Sequence, residues 1–358
     1  MLKRSFNIDF FRIIATLMVI VLHILEQGGI LNNAKPNGTF FWSAWFLEIC
    51  TFCAVNCFAL ITGYLMVDKT TKTKNILTLW FQVLFYSLLL TALFFIFLPE
   101  SRTIKNLILS FLPIVGNRWW YISSYFAVFF FIPFLNEGIK HISQQTHKKL
   151  LFILLGISSI GCIIPIDAFR LNKGYSAIWL IIVYLFGAYI KKYNLSQKFT
   201  ALKSILIFFS MILITFLSKL IFNLIGIARL EYMFISYTSI PMLLSAIFLF
   251  LFCLNVKINN TMTKLISFVA PGCLGVYLIH VHPLVFKYLL KDAFVPFTHK
   301  SVISMPLNVL ATALAIFIIC TLIDLMRIQL FKLIRINKLC EFLENKINNL
   351  FLKIFNKF

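Results

Sequence analysis

Charge is the scarcest property of this sequence. Charged residues make up 13% of its 358 positions, and Asp and Glu together number 12, whereas a water-soluble domain averages about 25% charged residues. A chain that is 61% hydrophobic carries more apolar surface than a single soluble core of this size can hide, so a soluble globular fold is excluded. Long polar stretches are also missing. Every gap between apolar runs is short, which leaves no room for a soluble domain. No repeat of fixed period is present. Lys3 and Arg4 precede an apolar run in the manner of a signal peptide, but no small-residue cleavage site follows, so that run is read as the first membrane helix. Metal-ligand spacing is absent too. Cys50, Cys53 and Cys57 sit within one apolar run with no nearby His and no second Cys pair. They are read as small packing residues, and neither a metal site nor a disulfide framework is expected.

What is present is hydrophobic length. Mean hydropathy is +0.93 and there are 41 Phe. Apolar runs near 10–28, 42–66, 76–98, 119–135, 149–166, 176–190, 202–225, 234–254, 266–288 and 303–326 predict an all-α, polytopic membrane bundle of about ten helices. The net charge of +21 does not point to nucleic acid, because the basic residues form no single face interleaved with aromatics. They fall in the gaps between runs. With the N-terminus cytoplasmic, the inside segments hold Lys3, Arg4, Lys69, Lys72, Lys74, Lys140, Lys191, Lys192 and others, more than twice the basic residues of the outside loops. The positive-inside rule therefore predicts that both termini are cytoplasmic. The chain divides into a membrane domain, 1–326, and a basic tail, 327–358. The tail is too polar to span, and its mixed pattern suits an amphipathic helix on the anionic inner leaflet; a partly disordered tail is the alternative.

Ionisable residues at membrane depth are costly and mark functional sites by default. The first run carries Arg12 and His23. Eleven residues apart, they share one helix face and stand about 16 Å apart along the axis. An Arg at the inner mouth suits phosphates, and a His deeper on the same face suits proton transfer. The plainer reading has Arg12 reaching to lipid phosphate and His23 bonding a neighbouring helix. Glu48, in the second run, falls at a depth similar to His23 and would orient it as the third group of a triad does; Glu26, one turn above His23, is the rival. Arg118-Trp119-Trp120-Tyr121 opens the fourth run, either as an interfacial aromatic belt or as a platform for a sugar ring. In the ninth run Pro271 and Gly272 allow a kink beside a cavity. Tyr277 and His280 share a face there, while His282 points elsewhere, toward the interface.

Taken in order, these segments resemble the acyltransferase 3 family of multi-spanning membrane enzymes. The likeness rests on Arg12-x10-His23 within Ile8-Asp9-Phe10-Phe11-Arg12, on Trp45-Phe46-Leu47-Glu48, and on Ile61-Thr62-Gly63-Tyr64. Further along it rests on Trp120-Tyr121 with Phe130-Phe131-Ile132-Pro133, on Gly174-Tyr175-Ser176, and on Gly275-Val276-Tyr277-Leu278-Ile279-His280. The look is nearest to bacterial surface-polysaccharide O-acetyltransferases. The resemblance implies transfer of an acyl group, most often acetyl, from cytoplasmic acyl-CoA to a hydroxyl of a cell-envelope carbohydrate or lipid-linked glycan. It also implies a multi-pass protein of the bacterial cytoplasmic membrane. Acyl-CoA is then a substrate, with no permanently bound cofactor. The expected partners are the donor, the glycan and membrane lipids, and a homodimer is among the assemblies allowed. Arg12 and Asp9 are assigned to acyl-CoA, and His23 with Glu48 to catalysis. Glu26, Trp120, Tyr121, Tyr277 and His280 are assigned to the acceptor or the cavity wall, with Tyr277 or His280 as oxyanion donor. A glycan exporter without acyl transfer is the second reading, though no pair of related halves is visible. A membrane sensor or assembly protein is the third, and it leaves the Arg12–His23 register without a role.

Overall fold

A computed structural model describes residues 5–164, 167 and 169–355. Lys3, Arg4 and Lys357 of the charge count lie outside the described residues, as does part of the stretch that closes the fifth predicted run. Among the described residues there is no strand. The helices are, in chain order, α1 (Phe6–Leu25), α2 (Ile30–Asn33), α3 (Thr39–Thr51), α4 (Ala54–Met66), α5 (Thr73–Phe97), α6 (Ile104–Phe111), α7 (Trp120–His141), α8 (Gln144–Ile163), α9 (Ala177–Lys192), α10 (Ala201–Leu224), α11 (Ile240–Asn255), α12 (Asn260–Val269), α13 (Cys273–His280), α14 (Pro283–Val285), α15 (Ser304–Leu333) and α16 (Ile336–Phe355). Each predicted apolar run is helical over most of its length. Seven helices or near-continuous helix pairs are long and apolar enough to cross a membrane. The runs matching α8, α9 and α11 fall short of that measure.

Bare apolar side chains cover the outside of the bundle. Phe130, Phe131 and Phe134 of α7 and Leu206, Phe209 and Leu213 of α10 all face outward. Water would penalise such a surface, whereas lipid does not. The centre belongs to α1 and the α3–α4 pair, whose apolar stretches are 67% buried against 22% for α10.

Several side chains tie loops together at one end of the bundle. Asn7 Nδ2 donates to the Cys253 carbonyl at 2.7 Å and to that of Val256 at 2.8 Å, joining the start of α1 to the end of α11. Asn136 donates to the Met66 carbonyl at 2.7 Å, and Lys192 donates to that of Ile139. The loops expected inside by the charge count thus gather together.

Three local features shape the interior. First, the second predicted run is not one helix but two, broken at Phe52 and Cys53. The Thr51 hydroxyl bonds back to the carbonyls of Leu47 and Glu48, both at 3.1 Å, a pattern that bends helices. Second, α4 and α9 cross in close contact. A Cβ on Gly63 would stand 2.0 Å from the Tyr184 carbonyl oxygen, and one on Gly187 would stand 2.3 Å from that of Leu60. Only glycine permits this approach, as in other membrane helix pairs. Third, α15 runs unbroken past Arg327 to Leu333. Arg327 is buried and bonds Asp324 at 2.7 and 3.0 Å, and Tyr86 donates to the same carboxylate at 2.7 Å. The boundary expected after 326 therefore falls inside a helix. The turn into the tail comes at Ile334 and Arg335, where Arg335 has a left-handed φ of 56°.

Candidate active site

The α1 helix carries its polar groups along one wall of a cavity. Arg12, His23 and Glu26 all line it, as the register of the first run predicts. The cavity measures about 610 Å³, within the range of small-molecule sites. At the Arg12 end, its walls come from Met66 at the end of α4, from Lys69 just after it, and from Asn75 and Ile76 at the start of α5. At the His23 end they come from Glu48 of α3, Trp120 and Tyr121 at the start of α7, and Tyr175, Tyr237 and Phe286. Antiparallel helices place these groups by simple geometry: the end of α4 and the start of α5 meet the start of α1, and α3 meets its end.

At the first end Arg12 Nη1 bonds Asp9 Oδ1 at 2.6 Å, one turn apart on α1. The Arg12 side chain keeps 31% of its surface exposed and Asp9 only 10%. Asp9 does not line the cavity; it fixes the guanidinium that does. Lys69 adds a second cation there. In the sequence its loop stands out only as a source of inside charge.

At the other end the partner of His23 differs from expectation. His23 Nδ1 lies 3.1 Å from His280 Nε2 on α13, and neither Glu48 nor Glu26 is hydrogen-bonded to it. Phe286 packs edge-on against the His23 ring at 5.1 Å. His280 Nδ1 lies 2.6 Å from the Val276 carbonyl. A carbonyl only accepts, so Nδ1 of His280 carries its proton. The neutral ring then has its lone pair at Nε2 and accepts from His23 Nδ1–H. This bonding pattern assigns the His23 lone pair to Nε2. Both nitrogens of His280 are engaged, so His280 is a support behind His23; it neither lines the cavity nor has an N–H free for an oxyanion. The pairing spans 257 positions, and no local signal could have found it.

Glu48 is 3% exposed, and its Oε2 has no hydrogen-bond partner. It lies close enough to Glu26 for their charges to interact. Glu48 and His23 thus line the same cavity, with no hydrogen bond between them. Trp120 lies 4.6 Å from Tyr175 and Tyr175 lies 5.1 Å from Tyr237, ring centre to ring centre, forming an aromatic wall. Tyr121 and Tyr277 continue it at 6.4 Å. Trp119 departs from the belt reading: it is 1% exposed, and Arg118 is buried with bonds to Ser87 and Thr91 at 3.2 and 3.1 Å. His282 also departs from expectation. It is fully buried and caps α14, accepting from the Leu284 N–H at 3.3 Å.

Tyr237 was missed by the sequence reading because it sits in an irregular segment. Asn56 fixes it there, donating to its carbonyl at 2.9 Å and accepting from the Trp179 indole at 2.8 Å. The eight cysteines are free thiols. Among the described residues no cluster of three metal-ligating side chains occurs.

A family profile described as an acyltransferase domain matches residues 6–325. The chain belongs to the acyltransferase 3 family. Searches of curated proteins and of solved structures return no match. Membership makes this a membrane acyltransferase, and the matched segment contains every residue of the cavity wall.

Proposed function

We propose that this acyltransferase takes its acyl group from cytoplasmic acyl-CoA and passes it to a hydroxyl of a cell-envelope glycan, with His23 as general base. One observation carries the reading: a single cavity runs along α1 from the Arg12–Lys69 pair to His23. An anionic nucleotide held at the cationic end would lay its pantetheine arm along α1 toward His23, about 16 Å away. The guanidinium, fixed by Asp9, is free to hold phosphate bidentately.

The step itself is simple. His23 Nε2 takes the proton of the acceptor hydroxyl, and its oxygen attacks the thioester carbonyl carbon. The C–S bond breaks, and the departing sulfur receives the proton from His23. His280 keeps His23 in the reactive tautomer. Tyr277, a wall residue whose buried hydroxyl has no hydrogen-bond partner, is the donor for the oxyanion. An acetyl group and a polysaccharide acceptor are the choices the family resemblance favours, in the bacterial cytoplasmic membrane.

The decisive experiment is His23→Gln in the full chain. Glutamine keeps hydrogen bonding but is no base near neutral pH. Turnover should fall by about 10²–10⁴, with CoA affinity retained. Near-normal turnover would make His23 a packing residue and end this mechanism.

A further inference from the structure

The cavity is polarised. Its cations, Arg12 and Lys69, stand at the inner end, and its carboxylates, Glu26 and Glu48, stand at the outer end. Among the described residues no lysine or arginine lines the outer half. The lysine nearest in kind, Lys219, is fully buried outside the cavity, between the rings of Trp45 and Tyr232 at 4.0 Å from each, and it pairs with Glu231 at 3.4 Å.

The outer half also lacks partners for its acceptors. Glu48 Oε2 and Gln27 Oε1 are buried and unbonded. Glu26 Oε2 receives one bond, from Gln27 at 3.1 Å. The Tyr175 and Tyr237 hydroxyls lie within electrostatic reach of both glutamates. A buried acceptor left unbonded is costly, so this arrangement suits a ligand that brings donors. Beside it stand the Trp120 and Tyr175 rings, inclined at 54° to each other with centres 4.6 Å apart, an aromatic corner. A donor-rich ligand with one apolar face is a pyranose ring.

From this we infer that the acceptor subsite selects by charge. It takes neutral or amino-bearing sugar rings, whose hydroxyl or ammonium donors meet Glu48 and Glu26 while one ring face stacks on Trp120 and an edge meets Tyr175. It rejects acidic rings, because a third carboxylate among two would stand unpaired with no cation to answer it. The inference deepens the acyl-transfer reading and rests on it, and it makes Glu48 a specificity residue in place of a partner for His23.

The test titrates the full chain, in nanodiscs with CoA present, with methyl glucoside, methyl glucosaminide and methyl glucuronide, read by saturation-transfer NMR. The neutral and amino glycosides should bind at least about tenfold more tightly than the glucuronide. Glu48→Gln should shrink that gap several-fold by raising glucuronide affinity. Glu26→Gln, at the exposed mouth, provides the same test should the buried variant not fold. Equal or tighter glucuronide binding would overturn the inference. So would a gap unchanged in both variants, or no saturable binding by any of the three. In His23→Gln the gap between the neutral or amino glycosides and the glucuronide should persist whatever happens to turnover, so failure of the base mechanism and failure of the subsite are told apart.

Discussion

His280 shows how one backbone carbonyl can set the chemistry of a side chain across the bundle. The Val276 carbonyl fixes the proton of His280, His280 fixes that of His23, and the remaining lone pair belongs to a residue on the cavity wall. His280→Ala should therefore lower kcat at least about tenfold while leaving the acyl-CoA KM near its original value. His280 is a positioning residue, so the split between the two constants is the readout. An equal loss in both would mean that the cavity itself has collapsed. Arg12 makes the opposite prediction. Arg12→Ala should weaken CoA binding by about 1.5–3 kcal/mol, the worth of one charged hydrogen bond, measured by calorimetry. Arg12→Lys should restore only part, because an ammonium lacks the planar fork. Unchanged affinity in both variants would remove Arg12 from the donor site. The register of Arg12 and His23 is legible in the sequence because both lie on one helix. The His23–His280 bond is not, because it depends on how α1 meets α13.

At the scale of elements, breaks matter more than lengths. The α3–α4 break at Thr51 and the kink at Pro271 and Gly272, which separates α12 from α13, both border the cavity. The second was legible from Pro and Gly. The first was hidden because neither residue lies near Thr51, and a back-bonding Thr is common in unbroken membrane helices too. The amphipathic α16 also gains a definite seat. It packs on α5, where the Glu344 carboxylate accepts the Lys74 N–H at 3.0 Å, near the positive end of α5, and Lys74 Nζ bonds Glu341. Lys74 holds the Glu341 carboxyl below its ordinary value, by hydrogen bonding first and then by charge. A carboxyl lowered on docking favours the docked helix above the ordinary carboxylate range, and that support is lost as pH falls through its lowered value. A spin label at position 346 should therefore gain mobility as pH falls below the ordinary carboxylate range, and at pH 7 in Lys74→Ala. If mobility changes in neither case, the buried contacts of Ile336 and Cys340 hold α16 without help from charge.

The whole molecule is a lipid-facing shell around a largely apolar cavity whose polar groups stand at its two ends. Its helix exteriors are largely apolar, and the loops tied by Asn7, Asn136 and Lys192 gather at the end where the charge rule expects the cytoplasm. We expect both termini on that side, with about ten crossings once the shorter α8, α9 and α11 are included. Reporter fusions after Lys35 and after Lys72 should then lie on opposite sides of the membrane. A shared side would refute this topology. The pairing of Gly63 with Gly187 explains how the short α9 can be held within such a bundle, since its close seat on α4 compensates for its length.

The sequence by itself determined the class of this protein, because hydropathy and charge placement act residue by residue and need no partner. It also determined the Arg12–His23 face, because 3.6 residues per turn is a property of one helix. Only the tertiary structure decided which groups meet across helices. It gave His23 to His280 instead of a carboxylate, left Glu48 facing the outer end of the cavity, and brought Tyr237 into the wall from an irregular segment. Those contacts depend on crossing angles and close backbone approaches between segments far apart in the chain, and neither is written in any local stretch of residues.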